Sequence, residues 1–197
     1  MTDDDRNERR KSWDERYASG DGATDDPHRL LTDALENMPS GKALDLACGA
    51  GRHAVCLAEK GFSVTAIDNS AAGLEIARKK AEEKGVAIDF RLADLESDAF
   101  EIEENAFDLI IDFFFLHRPL FAKIKKGVRP GGTIVAAIHF RGADEREGRF
   151  LLREGELRAS FGDFEILHCR ESPPVDAGGR QRRRTAEIVA RRYGGRR

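Results

Sequence analysis

Three carboxylates and a pair of glycines are spaced as if to hold a nucleoside. Asp45 lies inside the short apolar run Ala43–Ala47, which leads into Cys48-Gly49-Ala50-Gly51-Arg52-His53-Ala54. Glycines at such a turn let the backbone approach a ligand closely and aim amide N–H groups at it from a helix start. By itself Gly-x-Gly-x-x-Ala fits a dinucleotide loop equally well. Asp68 closes the next run, Val64-Thr65-Ala66-Ile67, and Asp94 follows Ala87–Leu92. A carboxylate at the place of Asp68 can accept from both ribose hydroxyls, each a charge-assisted bond of roughly 1.5–3 kcal/mol. One at the place of Asp94 can accept from an adenine amino group. Asp45 would repel a pyrophosphate and attract a sulfonium-bearing amino-acid nucleoside. Each acid alone also makes an ordinary cap or turn residue. Their joint placement at the ends of successive strands, where open α/β sheets take ligands, favours the nucleoside.

Chemistry on such a ligand needs little more than alignment. A sulfonium methyl is already activated, and positioning can contribute on the order of 7–11 kcal/mol. Neither a Ser–His–Asp pattern nor a metal cluster is legible. A neutral amine or hydroxyl acceptor would be helped by a general base. His117 is the first candidate, placed at the end of the apolar run Phe107–Phe115, and His139 the second, after Thr133–Ile138. Each also suits a hydrogen-bonded structural histidine. Arg118 has two readings, a contact to an anionic acceptor or an ion pair with an acid at a helix start. Side chains alternate across a strand, so Phe113 or Phe114 borders the methyl site. His53 belongs to the first helix, beside the glycine turn.

The elements that must position these residues follow from the pattern. Residues 1–27 are polar and form an expected N-terminal arm or lid with one short helix near Trp13; the domain proper spans 28–197. His28–Met38 has helical spacing and stops at Pro39-Ser40-Gly41. Strands and helices then alternate, the mark of a parallel sheet: strands Ala43–Ala47, Val64–Asp68 and Ala87–Leu92, helices His53–Lys60 and Ala71–Lys84. The run Phe107–Phe115 reads as a strand buried on both faces. After Gly131-Gly132 come strand Thr133–Ile138, helix Gly155–Phe161, and strands Phe164–Cys169 and Thr185–Ala190, the last two separated by a turn region from Pro173-Pro174 to Gly179. The fold class is α/β.

Composition sets outer limits. The chain has 197 residues, enough for one domain with one core. A net charge of −3, with 35% charged residues, advertises neither a nucleic-acid nor a membrane partner. No stretch approaches the ~20 apolar residues of a membrane span, and the acidic N-terminus lacks a signal-peptide core. Cys48, Cys56 and Cys169 show no disulfide or metal spacing, so no metal and a cytoplasmic setting are expected. Arg180, Arg182, Arg183, Arg184, Arg191, Arg192, Arg196 and Arg197 form a basic C-terminal cluster that would suit RNA or a phosphorylated acceptor. With only Tyr193 for stacking, a solvated tail is the simpler reading.

The segment Asp45-Leu46-Ala47-Cys48-Gly49-Ala50-Gly51 resembles the first motif of class I S-adenosylmethionine-dependent methyltransferases, with Ala47 where a glycine often stands. Trp13-Asp14-Glu15-Arg16-Tyr17 is similar to the N-terminal element of the small tellurite-resistance and thiopurine-type enzymes, which folds over the methionine end of the cofactor. Phe107-Asp108-Leu109-Ile110-Ile111 and Arg129-Pro130-Gly131-Gly132 resemble the fourth-strand motif and the turn before strand five. Leu116-His117-Arg118-Pro119-Leu120 and the segment from Phe150 to Leu157 resemble a bacterial-type subset. In that subset Tyr-Glu-Thr-Phe commonly ends strand five, where this chain has Ala137-Ile138-His139-Phe140. The resemblance implies a Rossmann-like, seven-stranded, mostly parallel sheet of order 3-2-1-4-5-7-6 with the last strand antiparallel. It implies S-adenosyl-L-methionine as cofactor, held by Trp13, Arg16, Tyr17, Asp45, Ala47, Cys48, Gly49, Gly51, Asp68, Asn69, Asp94, Leu95, Asp112 and Phe113. A small-molecule acceptor and a monomer or homodimer are expected. Two other readings stay open: an NAD-dependent oxidoreductase, and a domain that binds the cofactor without catalysis.

Overall fold

A computed structural model of the chain describes residues 3–20, 25–140, 151–172 and 184–194. The turn region from Pro173 to Gly179, the segment 141–150 and Arg180, Arg182, Arg183, Arg196 and Arg197 of the basic cluster lie outside the described residues. The chain divides into two compact units, Met1–Phe100 and Glu101–Arg197.

The first unit holds α1 (Asp3–Ala18), α2 (Arg29–Leu35), β1 (Lys42–Leu46), α3 (Arg52–Glu59), β2 (Ser63–Asp68), α4 (Ala71–Lys84) and β3 (Ile88–Leu92). β1 pairs in parallel with β2 and β2 with β3, with Asp45 opposite Ala66 and Asp68 opposite Leu92. Leu44, Leu46, Ala66, Leu57 and Leu74 pack the core between sheet and helices. The chain enters α3 through Gly51 at φ 78°, where a Cβ would stand 2.6 Å from the Ala77 Cβ of α4. Conformation and close helix approach both demand glycine there. Ser70 caps α4 by accepting from Gly73 N at 3.0 Å, and Gly85 ends it at φ 66°.

The second unit holds β4 (Phe107–Phe113), α5 (Arg118–Gly127), β5 (Val128–His139), α6 (Glu156–Ser160), β6 (Glu165–Glu171) and β7 (Thr185–Arg191). β4 and β5 are parallel, whereas β7 runs antiparallel to both β5 and β6. Phe107 faces Val128 and Leu109 faces Thr133, so Arg129-Pro130-Gly131-Gly132 bulges out opposite Asp108, whose carboxylate pairs with Arg129. Ile110, Ile111, Leu120, Ile124, Ile134 and Phe161 fill the core. The strands follow the order β3-β2-β1-β4-β5-β7-β6, the expected sheet.

Two elements depart from expectation. The short helix near Trp13 is a 16-residue helix, α1, carried by charged residues rather than by an apolar stripe. α5 is absent from the expected set. Pro119 in its first turn and Lys125 and Lys126 in its last are ordinary helix signals, but its buried side chains Leu120, Phe121 and Ile124 make a short stripe.

Candidate active site

The turn after β1 is built from strained and close-packed backbone. Ala47 has φ 54° and Gly49 φ 53°; Cys48 N donates to Ile67 O at 3.0 Å, and Gly51 N to Cys48 O at 2.9 Å. Ala47 is small enough to tolerate the left-handed region at about 1–3 kcal/mol. Asp68, buried at the end of β2, locks the turn from the side. Its Oδ2 accepts from Gly49 N at 2.7 Å and its Oδ1 from Ser70 N at 2.8 Å. Burial pushes this carboxyl above its usual value, while the N–H groups of Ser70, Gly49 and Asn69 hold it down. Asn69 thus enters through its backbone, and Asp68 orders the loop as well as facing it.

Asp45 is 1% exposed, and its Oδ2 has no hydrogen-bond partner among the described residues. Burial raises its pKa well above the ordinary value, the nearby Asp68 adds to this, and the Ala54 N–H and Arg52 oppose it. Cys48 is buried too, and burial and the same two acids raise its thiol. It is no nucleophile. A buried carboxylate oxygen left without a donor is costly, and it fits a site that takes a cationic ligand group. Asp94, after β3, accepts from Glu96 N at 2.9 Å, with Leu95 buried between them.

Helix α1 lies across this region. The Tyr17 hydroxyl stands where a Cβ on Gly49 would be, at 2.1 Å, and the same ring abuts Gly73 of α4. Burial, and next the charge of Asp68, raise the Tyr17 pKa. Trp13, 41% exposed, stacks on Tyr17 at 5.8 Å, and the Arg16 guanidinium lies over Trp13 at 4.5 Å. Arg16 is therefore directed to Trp13. Two residues that sequence reasoning missed anchor the helix. Asp14 Oδ1 accepts from Ser70 Oγ at 2.6 Å and Ala72 N at 3.2 Å, and Arg9 pairs with Glu96 just after Asp94. His53 is buried in α3 and accepts from His28 N at 3.2 Å; burial lowers its pKa to about 3, so it is a neutral structural group.

In the second unit, Asp112 and Phe113 are buried at the end of β4. Phe114 follows at φ 67°, donates its N–H to Ala137 O at 2.7 Å, and is 38% exposed. Its ring stacks on His139, the last residue of β5, at 4.9 Å. His117 is placed differently from the expectation. β4 stops at Phe113, and His117 occupies the cap position of α5 without a side-chain capping bond. The aromatic run after Phe113 leaves the strand because Phe114 turns into the left-handed region. Arg118 donates from Nε to Glu156 Oε1 at 2.5 Å, and from Nη2 to Oε2 at 2.9 Å and to Leu151 O at 3.1 Å. Of its two readings, the structure displays the pair with an acid at a helix start.

Residues 43–132 match the family model of a methyltransferase domain. This stretch, a little under half of the chain, is similar to a methyltransferase domain. It is similar to a ubiquinone biosynthesis O-methyltransferase of Methylocella silvestris, with 39% identity over 49% of this chain and 39% of the relative. A probable S-adenosyl-L-methionine-dependent methyltransferase, TehB, of Haemophilus influenzae is 28% identical over 84% of the chain. The chain spans 62% of that relative's length, so less than two thirds of either. The crystal structure of TehB from Haemophilus influenzae shares the fold, with TM-score 0.75 and 23% identity over 91% of this chain and 67% of that one. The matched residues 43–132 include the turn, Asp45, Asp68 and Asp94 as well as β4.

Proposed function

We propose that the chain binds S-adenosyl-L-methionine in its first unit and transfers the methyl group to a small-molecule acceptor. One observation carries the reading: Asp45, buried beside the glycine turn with an oxygen that no donor satisfies. Bound there, the cofactor supplies an activated sulfonium methyl. Asp45 holds the amino-acid end by its charge, with Ala47, Cys48, Gly49 and Gly51 giving backbone room. Asp68 offers the ribose what acceptor capacity its loop bonds leave, beside Asn69. A carboxylate has about four lone-pair positions, three of them taken here, so one ribose hydroxyl is a better match than two. Asp94 and Leu95 frame the base. Trp13, Arg16 and Tyr17 cover the site from α1.

His117 and His139 are the proposed proton-handling groups on the acceptor side, and Arg118 a positioning residue through Glu156. Among the described residues, no helix is long and apolar enough to cross a membrane. The cytoplasmic setting rests on the free thiols Cys48, Cys56 and Cys169. Titration calorimetry with S-adenosylhomocysteine and with NADH tests the reading. S-adenosylhomocysteine should bind and NADH should not. The reverse would sink the methyl-transfer reading and restore the oxidoreductase.

A further inference from the structure

We propose that the chain associates with a second copy of itself through the outer edge of β3, which pairs antiparallel with its own counterpart about Phe90. Among the described residues β3 ends the strand order, so one of its edges is bonded to β2 and the other is not. One bond shows which backbone groups lie on the outer edge. Ala93 N–H donates to Asp68 O at 3.0 Å, so the alternate residues Arg91 and Asp89 also turn N–H and C=O toward β2. The N–H and C=O groups of Ile88, Phe90 and Leu92 point the other way. An edge of this kind is a template for another strand unless proline, a bulge or charged side chains blunt it. The run Ile88-Asp89-Phe90-Arg91-Leu92 has neither proline nor lysine, and its register with β2 shows no bulge. Its two charges decide the matter.

Asp89 and Arg91 share one face of β3, where Arg91 Nε donates to Asp89 Oδ2 at 2.9 Å, and both residues are exposed. The strand reads apolar, Asp, Phe, Arg, apolar, an order complementary to itself when reversed. With Phe90 opposite Phe90 of the second copy, Asp89 of each copy faces Arg91 of the other, and Ile88 faces Leu92. The Phe90 pair and the Ile88–Leu92 pairs are then the hydrogen-bonded ones, because their backbone groups point outward. Asp89 and Arg91 fall in the non-hydrogen-bonded pairs, where side chains approach more closely. Opposite charges directly across stabilise there, and like charges destabilise. Either neighbouring two-fold register would set Asp89 against Asp89 or Arg91 against Arg91, so the charges select one pairing. Leu92, 59% exposed in the single chain, gains Ile88 as an apolar neighbour, and the half-buried Phe90 gains a second ring. The charges that would repel an arbitrary strand thus accept a second copy of this one.

Sedimentation velocity of the full chain from about 1 μM to about 500 μM tests this, a range suited to the weak association of one short strand edge. We expect a reversible shift from one copy to two. Asp89→Arg and Arg91→Asp should each weaken the association about tenfold, since each sets like charges across from one another in both charged pairs. Mixed in equal amounts, the two variants should associate at least as tightly as the parent chain, because every charge then meets its opposite. A variant that had merely failed to fold would not be rescued in this way. Amide exchange followed by NMR locates the contact. The N–H groups of Ile88, Phe90 and Leu92 should exchange more slowly at the high concentration, and those of Asp89 and Arg91 as before. The pairing is overturned by a single copy throughout the range, by a dimer that neither variant weakens, by mixed variants that associate no better than each alone, or by exchange at Phe90 that ignores concentration.

Discussion

At the scale of single residues, Asp45 and Asp68 are two carboxylates with different duties. Asp68 is stabilised by backbone N–H groups, so it belongs to the loop as much as to any ligand. Asp68→Ala should therefore weaken S-adenosylhomocysteine binding and lower the melting temperature together, since Gly49 and Ser70 lose an acceptor each. A variant that loses affinity with an unchanged melting curve would contradict that shared duty. Asp45 has the opposite balance. Its buried charge is opposed by Asp68 and lacks a donor at Oδ2, so it costs stability whenever it ionises. Asp45→Asn should raise the melting temperature of the ligand-free protein at neutral pH. Each 1 kcal/mol gained is worth roughly 2–4 °C in a chain of this size. The same variant should lose at least tenfold in S-adenosylhomocysteine affinity, about 1.4 kcal/mol. An ammonium group arriving beside Asp45 favours its ionised form, so binding to the parent protein should release protons. Calorimetry in buffers of different ionisation enthalpy reads this release, which Asp45→Asn should abolish.

At the scale of elements, α1 is held by a few polar contacts rather than by an apolar face. Asp14 bonds Ser70 Oγ and Ala72 N, Arg9 pairs with Glu96, and among the described side chains of α1 only Tyr17 goes deep. Asp14→Ala removes two bonds worth about 1 kcal/mol each. Amide exchange across α1 should accelerate more than tenfold while α4, still capped by Ser70, exchanges as before. Unaltered exchange in α1 would show that Tyr17 and the Arg9–Glu96 pair secure it without Asp14. The contacts also explain what could be read in advance. Runs such as Val64–Asp68 or Phe107–Phe113 announce strands because their burial is written into consecutive side chains, and Asp45, Asp68, Gly49 and Gly51 announce a site because their roles are local. Asp14 and Arg9 look like any solvated charge until α4 and the loop after β3 are in place. α5 is obscure because three apolar residues suffice for its short contact. The φ of Phe114 is set by the Ala137 carbonyl of a neighbouring strand, which no local spacing encodes.

At the scale of the whole molecule, buried ionisable groups set opposing pH limbs. His53 has a folded pKa of about 3 against an ordinary 6.5, so between those values the unfolded chain binds more protons. Stability from His53 is full above pH 6.5 and is lost as pH falls toward 3. Asp45 and Asp68 are raised from 3.8, so the folded chain binds more protons above that value, and stability falls as pH rises through their folded pKa values. Two opposing contributions follow for the ligand-free protein: a loss from histidine protonation as pH falls below 6.5, and a loss from carboxylate ionisation as pH rises above 3.8. His53→Gln can still accept from the His28 N–H and does not titrate, so it should flatten the acid limb alone. Saturating S-adenosylhomocysteine should flatten the other, because its ammonium pairs with the ionised Asp45. Melting temperatures from pH 4 to 9, for both proteins with and without S-adenosylhomocysteine, separate the two limbs. An acid limb that survives His53→Gln would move the origin of acid unfolding from the buried histidine to the surface carboxylates. A loss of stability with rising pH that ignores S-adenosylhomocysteine would detach Asp45 from the ligand.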